Sequence, residues 1–291
     1  MTALGILTIG PAAPADFGLT MAGAAVAMTS YPGSMQTGLR NRRTRRKLPP
    51  EPPRNPSASR VVYVEASPQG GSVRAIFGLA APERGSGLQN FASNAVDPSV
   101  NGSLDWRASA DTLPGGTPFI DCPADPAQAA VLLSNSGPPI MQKLAASPDL
   151  AIVDFGETYM GSPALSCLEY MSFLLVIVTP ARPVLARAAQ HANSLLREHI
   201  DQNKLAFVVR GDAANPKPDG RALQSFLPAP ISLVISFDPK AAIGSVKKDK
   251  TRDTSLAVRE IRTYTTKLLD QNNLIGGPGG TVTNSASSLA L

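Results

Sequence analysis

A chain of 291 residues with 43% hydrophobic and 17% charged residues is long enough to bury a core and too apolar for a disordered protein. Aromatic residues make up only 5%, so the core must be built from Ala, Leu, Val and Ile; 24 Gly and 27 Pro point to loops around it. The net charge of +5 is concentrated in one stretch, and the only two cysteines, Cys122 and Cys167, have no CxxC or Cys/His spacing, which argues against a metal centre built on thiolates.

Leu4–Ile9 (LGILTI) is a short apolar run that predicts a buried strand. A Pro/Gly/Ala loop, 10–18, follows it, and then Thr20–Thr29 (TMAGAAVAMT) predicts a small-residue buried helix. The first thirty residues are apolar, yet they lack the positive start of a signal peptide. Pro11, Pro14, Asp16 and Gly18 also break the unbroken run that a membrane span needs. Residues 31–60 carry no periodicity and are rich in Pro and Arg, which predicts a mobile insertion. Within it lie Arg40, Arg42, Arg43, Arg45, Arg46 and Lys47, a polyanion-binding candidate for DNA or an anionic membrane, or a docking arm for an acidic protein.

Val61–Val64 predicts a second strand, with EASPQGG directly after it and a helix over Ser72–Phe77. Residues 80–116 read as loop with at most short helices, and Pro118–Asp121 as a short strand. Two helices are expected over Asp125–Leu133 and Pro138–Ala146, then a buried strand, Leu150–Val153, ending in Asp154. Phe173–Val178 (FLLVIV) is the strongest strand signal in the chain. A long amphipathic helix over Pro183–His199, strands at Leu205–Val209 and Ile231–Ile235, and a terminal helix at Ser255–Leu269 complete the series. His191 and His199 lie eight apart on their helix, the wrong spacing for a ligand pair, and read as ordinary surface or packing residues. Residues 271–291 predict a flexible tail.

Short apolar strands alternating with helices predict an α/β domain: a doubly wound, mostly parallel sheet covered on both faces. It should span 1–270, interrupted by the basic insertion. Ligands in such sheets bind at the carboxyl ends of the strands. Three of those ends carry unusual loops: after Ile9, after Val64 and after Val153.

A phosphate loop runs from a strand into a helix N-terminus, usually as GxxxxGK[ST]. Here residues 10–20 read GPAAPADFGLT: the Gly and Thr are in place and Leu19 stands where the lysine belongs. VVYVEASPQGG is similar to the D-x-D-P-Q run of ParA-type ATPases, with Glu65 as the first acid and Ser67 replacing the second. LAIVDFGE resembles their Walker B strand, with Asp154 as the acid. LLVIVTPARP, then AFVVRGD with Arg210, then ISFDPKAA with Asp238 and Pro239, match later family segments in order. The chain thus resembles the ParA/MinD branch of the P-loop NTPases from about residue 4 to 269, with a degenerate, lysine-free Walker A loop.

That resemblance implies a Rossmann-like three-layer P-loop NTPase fold. It implies ATP and Mg2+ as ligands, held by Gly10, Gly18, Leu19, Thr20, Met21, Arg210, Asp238 and Pro239. Thr20 and Asp154 would stand at the metal, and Glu65 and Asp154 would be the catalytic acids. The missing lysines imply weak or no hydrolysis, since that charge stabilises the transferring phosphoryl group. The implied role is a cytoplasmic switch, peripheral to membrane or nucleoid, that forms a homodimer. It would position or assemble a DNA, pilus or secretion cargo with a protein partner of a partition or secretion system. A pseudo-ATPase scaffold and a dethiobiotin synthetase-like ligase remain as alternatives; the visible absence of a loop lysine weighs against the ligase.

Overall fold

In the computed structural model the described residues are 3–9, 14–30, 60–82, 85–96, 106–113, 116–146, 150–159, 161–198, 200–238 and 255–271. The basic cluster at 40–47, the tail, and Gly10, Pro239 and His199 lie outside them. The described chain runs β1 (Ala3–Thr8), α1 (Pro14–Ser30), β2 (Val61–Glu65), α2 (Val73–Phe77), α3 (Gly87–Val96), β3 (Asp111–Thr112), β4 (Pro118–Ile120), α4 (Pro126–Ala146), β5 (Leu150–Glu157), α5 (Leu165–Leu168), β6 (Phe173–Val178), α6 (Arg182–Glu198), β7 (Leu205–Arg210), α7 (Gly220–Gln224), β8 (Ile231–Ile235) and α8 (Leu256–Gln271).

These strands form one eight-stranded sheet in the order β3-β4-β2-β5-β1-β6-β7-β8. All pairings are parallel except the short β3–β4 ladder. Every central strand is buried along its length, which is why each reads as a continuous apolar run rather than an alternating one.

The pleat divides the core in two. Leu7, Val62, Val64, Val153, Val176 and Phe207 face a layer that includes Leu88, Leu133, Leu185 and Leu195, from α3, α4 and α6. Leu4, Ile6, Tyr63, Ile152, Leu175 and Val208 face the other layer, built from Phe17, Met21 and Ala22 of α1 and Ile261 and Leu268 of α8. The two helices of that second layer pack on each other.

From β1 the chain crosses to β2 on one side, and from β5, β1's neighbour, it crosses back over β1 to β6. Adjacent strands whose connections leave in opposite directions open a crevice at their carboxyl ends, the usual ligand position in such sheets.

Three elements depart from the sequence expectations in ways that matter at this edge. Helix α1 begins at Pro14, six residues before the expected Thr20. Proline suits the first helical position, because its φ is already helical and the N–H it lacks would have had no partner there. Strand β5 does not end at Asp154 but continues to Glu157. Ile6 pairs with Asp154 while Thr8 pairs with Glu157, so Phe155 and Gly156 together oppose Leu7 alone in a bulge. Finally, the two helices expected over 125–146 are one helix, α4, that carries Pro138 and Pro139 in its middle.

Candidate functional site at the carboxyl edge of the sheet

Alternation along the strands puts Thr8, Glu65 and Asp154 on the α1 face of the sheet, at the carboxyl ends of β1, β2 and β5. Glu65 and Asp154 are register partners on neighbouring strands. Both are buried, at 3% exposure each, an uncommon position for carboxyl groups.

Asp154 is enclosed by its own protein. The Tyr63 hydroxyl donates to Oδ2 at 2.7 Å, and the Gly156 N–H donates to Oδ1 at 2.8 Å. The second bond requires the bulge, and the bulge requires glycine: Gly156 has φ +65°, and a Cβ there would stand 2.6 Å from Ser67 Oγ. Burial pushes the Asp154 carboxyl up to about 6, against the two donors that favour its charged form.

Glu65 is divided between two tasks. Oε1 accepts the N–H groups of Ser72 (2.6 Å) and Val73 (3.2 Å) and the Ser72 hydroxyl (3.2 Å), so it satisfies free donors at the start of α2. Oε2 is buried with no hydrogen-bond partner among the described residues. Desolvation, aided by the Asp154 charge, raises the Glu65 carboxyl to about 7.

The Ser67-Pro68-Gln69 segment locks this corner to β5. The Gln69 Nε2 group donates to the Glu157 carbonyl at 2.5 Å, and the Ser67 hydroxyl donates to Gln69 Oε1 at 2.9 Å. Ser67 therefore holds a loop. The Gly71 N–H donates to the Pro123 carbonyl at 2.7 Å and ties the same loop to the segment after β4.

The expected Walker A residues are placed differently from the sequence reading. Gly18, Leu19, Thr20 and Met21 lie inside α1, beyond its first turn, and not at its start. From the fourth helical residue on, each N–H belongs to the intrahelical ladder, so the donors without an intrahelical partner are those of Ala15 and Asp16. Leu19 and Met21 are buried in the α1-side core, and Thr20 is buried beside them. Gly18 packs on the Tyr63 ring, where a Cβ would come within 2.8 Å of Cε2. This glycine serves helix–sheet packing over Asp154.

Arg210 and Asp238 lie on the same edge, two strands and more away from β1. Arg210 ends β7 in register with Ile235, and the Asp238 carboxylate accepts the Leu256 N–H at 3.3 Å at the start of α8. The structure thus gathers Glu65 and Asp154 at the centre and leaves Arg210 and Asp238 to one side.

Two residues that the sequence reading missed stand out. The Thr8 and Thr158 hydroxyls are both buried, and neither has a hydrogen-bond partner among the described residues. Their backbones meet just past the bulge, where the Thr158 N–H donates to the Thr8 carbonyl at 3.2 Å, while Thr8 itself is in register with Glu157. A threonine at the end of an apolar strand carries no motif, so no sequence signal marks either one.

Comparison with solved structures gives the same architecture. MinD from Pyrococcus horikoshii, solved with Mg-ADP, superposes with a TM-score of 0.65 at 11% identity, over 95% of this chain and 99% of that one. The ParA family ATPase of Chlorobium tepidum gives 0.61 at 17% identity, covering 91% and 98%. This is the ParA/MinD fold. An ATP complex of a McdA variant from Cyanothece gives 0.56 at 12% identity, over 93% and 96%. No protein-family model matches the sequence, and no curated protein matches it.

The ParA/MinD frame invites a Mg-nucleotide, and the described residues fit one in part. Buried acids on β2 and β5, one with an unpartnered oxygen, suit a hydrated divalent cation. A helix start such as that of α1 suits a phosphate. Residues 3–30 contain no lysine or arginine, so this segment brings no cation to a transferring phosphoryl group. Nucleotide binding is within the reach of these groups.

Proposed function

We propose that this chain is a ParA/MinD-like nucleotide-binding switch with weak or no ATP hydrolysis. It acts in positioning, partitioning or assembling a DNA, pilus or secretion cargo. The observation that carries the reading is the crevice between β1 and β5: a ParA/MinD sheet whose carboxyl edge holds buried acids and unpartnered polar groups, with no cation from residues 3–30. Glu65 and Asp154 would stand by a bound Mg2+, and the start of α1 would face the phosphates. The nucleotide supplies the charge that can draw these groups together. The chain's own residues orient it and exclude water.

Glu65 gives the proposal its output. Its carboxylate touches both the crevice side of β2 and the N-terminus of α2, so an ion drawn to Oε2 would compete with the cap. The expected partners are a second copy of this chain, a protein of a partition or secretion system, and DNA or an anionic membrane engaged through Arg40, Arg42, Arg43, Arg45, Arg46 and Lys47. A cytoplasmic location at the membrane or nucleoid periphery follows from the same reading.

One observation favours a second reading, a pseudo-ATPase scaffold acting through protein contacts alone. Asp154 already has two donors and Glu65 already caps a helix, so both acids have structural work without a ligand. Titration with a fluorescent ATP analogue, with and without Mg2+, separates the two. Saturable, Mg2+-dependent binding supports the switch, and no binding at millimolar analogue supports the scaffold.

A further inference from the structure

We propose that Tyr63 is a positioning residue that sets divalent-cation affinity at this edge, by holding the Asp154 carboxylate turned into the protein until a cation displaces the phenol. It rests on the Mg-nucleotide reading for the ligand, and adds the residue that decides how readily Asp154 answers it.

Tyr63 lies two residues before Glu65 on β2, on the same face, and its hydroxyl reaches across the β2–β5 pairing to Asp154 Oδ2 at 2.7 Å. The other oxygen accepts the Gly156 N–H at 2.8 Å. With 3% of Asp154 exposed, the acceptor capacity left over faces protein. The surface begins just beyond: Glu157, three residues on, is exposed, and so is Gln69, which donates to the Glu157 carbonyl. A hydrated cation entering at that corner meets Asp154 only if the carboxyl turns. Of its two bonds, the one to the phenol can break without undoing the β5 bulge. The ring cannot follow the turning carboxyl, because it is fully buried against Gly18 of α1, where a Cβ would stand 2.8 Å from Cε2.

Mg2+ gives up its waters reluctantly and meets carboxylates largely through them. The phenol O–H donates as such a water would, so the two compete for one acceptor. An equilibrium of this kind lowers apparent affinity in proportion to the fraction of molecules whose carboxyl is free. The tyrosine therefore has two effects of opposite sign: it strengthens the fold and weakens the cation.

The test uses the full chain with Tyr63→Phe, Asp154→Asn and the double variant. Each is melted, and each is titrated with Mn2+ read by its EPR signal, with and without the fluorescent ATP analogue. Tyr63→Phe should melt below wild type yet bind Mn2+ about tenfold or more tightly, the size of a released bond to a charged acceptor. The gain should vanish in the double variant. In the wild-type chain, saturating Mg2+ should shift the near-ultraviolet absorption of tyrosine as the phenol loses its carboxylate, and Tyr63→Phe should lack that component.

A Tyr63→Phe chain that binds Mn2+ as wild type does, or more weakly, overturns the role of Tyr63 and leaves the nucleotide reading standing. A gain that survives Asp154→Asn also overturns it, because the cation would then be answering another acid. If Tyr63→Phe does not fold, the wild-type spectrum decides: a tyrosine band that saturating Mg2+ leaves unmoved overturns the proposal, and a shifted one supports it. Tighter Mn2+ binding without any nucleotide binding supports the role of Tyr63 and removes the nucleotide reading. Wild-type and Tyr63→Phe chains that are both indifferent to Mn2+ and to the analogue overturn both.

Discussion

Glu65 and Asp154 make the stability of this fold depend on pH in an unusual direction. Folding raises both carboxyls, Glu65 from 4.5 to about 7 and Asp154 from 3.8 to about 6. A carboxyl raised on folding binds its proton more tightly in the native state, so its contribution is fully present below the unfolded pKa and is lost as pH rises through the folded one. Stability contributed by this pair should therefore fall between about pH 4 and pH 7. Glu65→Gln keeps an acceptor for α2 and removes the charge. It should match wild type near pH 4 and exceed it above pH 7 by up to about 3 kcal/mol, the linkage equivalent of the shift, as read from urea unfolding at the two pH values. Tyr63→Phe works on the partner. It removes a donor from a buried carboxylate and should cost about 1–3 kcal/mol at pH 8, with a smaller loss at pH 5, where Asp154 is largely protonated. An equal loss at both pH values would mean that the phenol acts by packing alone.

Helix α1 and the β5 bulge show what an element adds to its residues. Gly156→Ala places a methyl group against Ser67 at a positive φ, so it should cost about 1–3 kcal/mol in urea unfolding and loosen the Gln69 loop. Gly18→Val drives a branched side chain into the Tyr63 ring; it should lower the melting temperature, and any loss of nucleotide binding should come with that loss of stability. The strands at Phe173–Val178 and Ile231–Ile235 were legible to the residue, the first because a buried parallel strand is an uninterrupted apolar run, the second because a short β-branched run between prolines reads as a strand even at a half-buried edge. The acids at Glu65 and Asp154 were legible as positions, though not in their helix-capping and hydrogen-bonding roles. The start of α1 was not legible, because Pro-Ala-Asp reads as loop in isolation and as a first turn only beside a sheet. Strand β3 was missed because two residues carry no period and it exists only through its antiparallel pairing with β4. The bulge was invisible because Gly156 at a strand end has the same local signature as a turn. The unpartnered hydroxyls of Thr8 and Thr158 were invisible because a hydroxyl's lack of a partner is a property of packing.

At the scale of the whole molecule, the positive charge is concentrated in one stretch of the sequence. If the cluster from Arg40 to Lys47 binds polyanions, retention on double-stranded DNA should weaken steeply with salt, with a log–log slope of roughly −4 to −5 for four to six phosphate contacts. Replacing Arg42, Arg43, Arg45 and Arg46 with Ala should flatten that slope and leave the melting temperature nearly unchanged, as measured by DNA-column elution and thermal melting. No salt-dependent retention on DNA or anionic liposomes would identify the segment as a linker or protein-docking arm. Steady-state ATP turnover should stay well below about 1 s⁻¹, the low end of the ordinary enzymatic range. Turnover above that value, abolished by Asp154→Ala, would show that a cation outside residues 3–30 completes the site.

Strand β1 is made before the other described elements and lies at the centre of the sheet, flanked by β5 and β6, which begin at Leu150 and Phe173. On a ribosome adding about 5–20 residues per second, Leu4, Ile6 and Leu7 wait roughly 7–30 s for their partners. A nascent chain stopped before Leu150 can pair β2 with β4, yet it cannot place β1, so its most apolar strand stays available to chaperones or to other chains. Protease protection of the N-terminal strand in arrested nascent chains should therefore appear in a single step, once β5 and β6 have both left the exit tunnel, and not grow gradually with length.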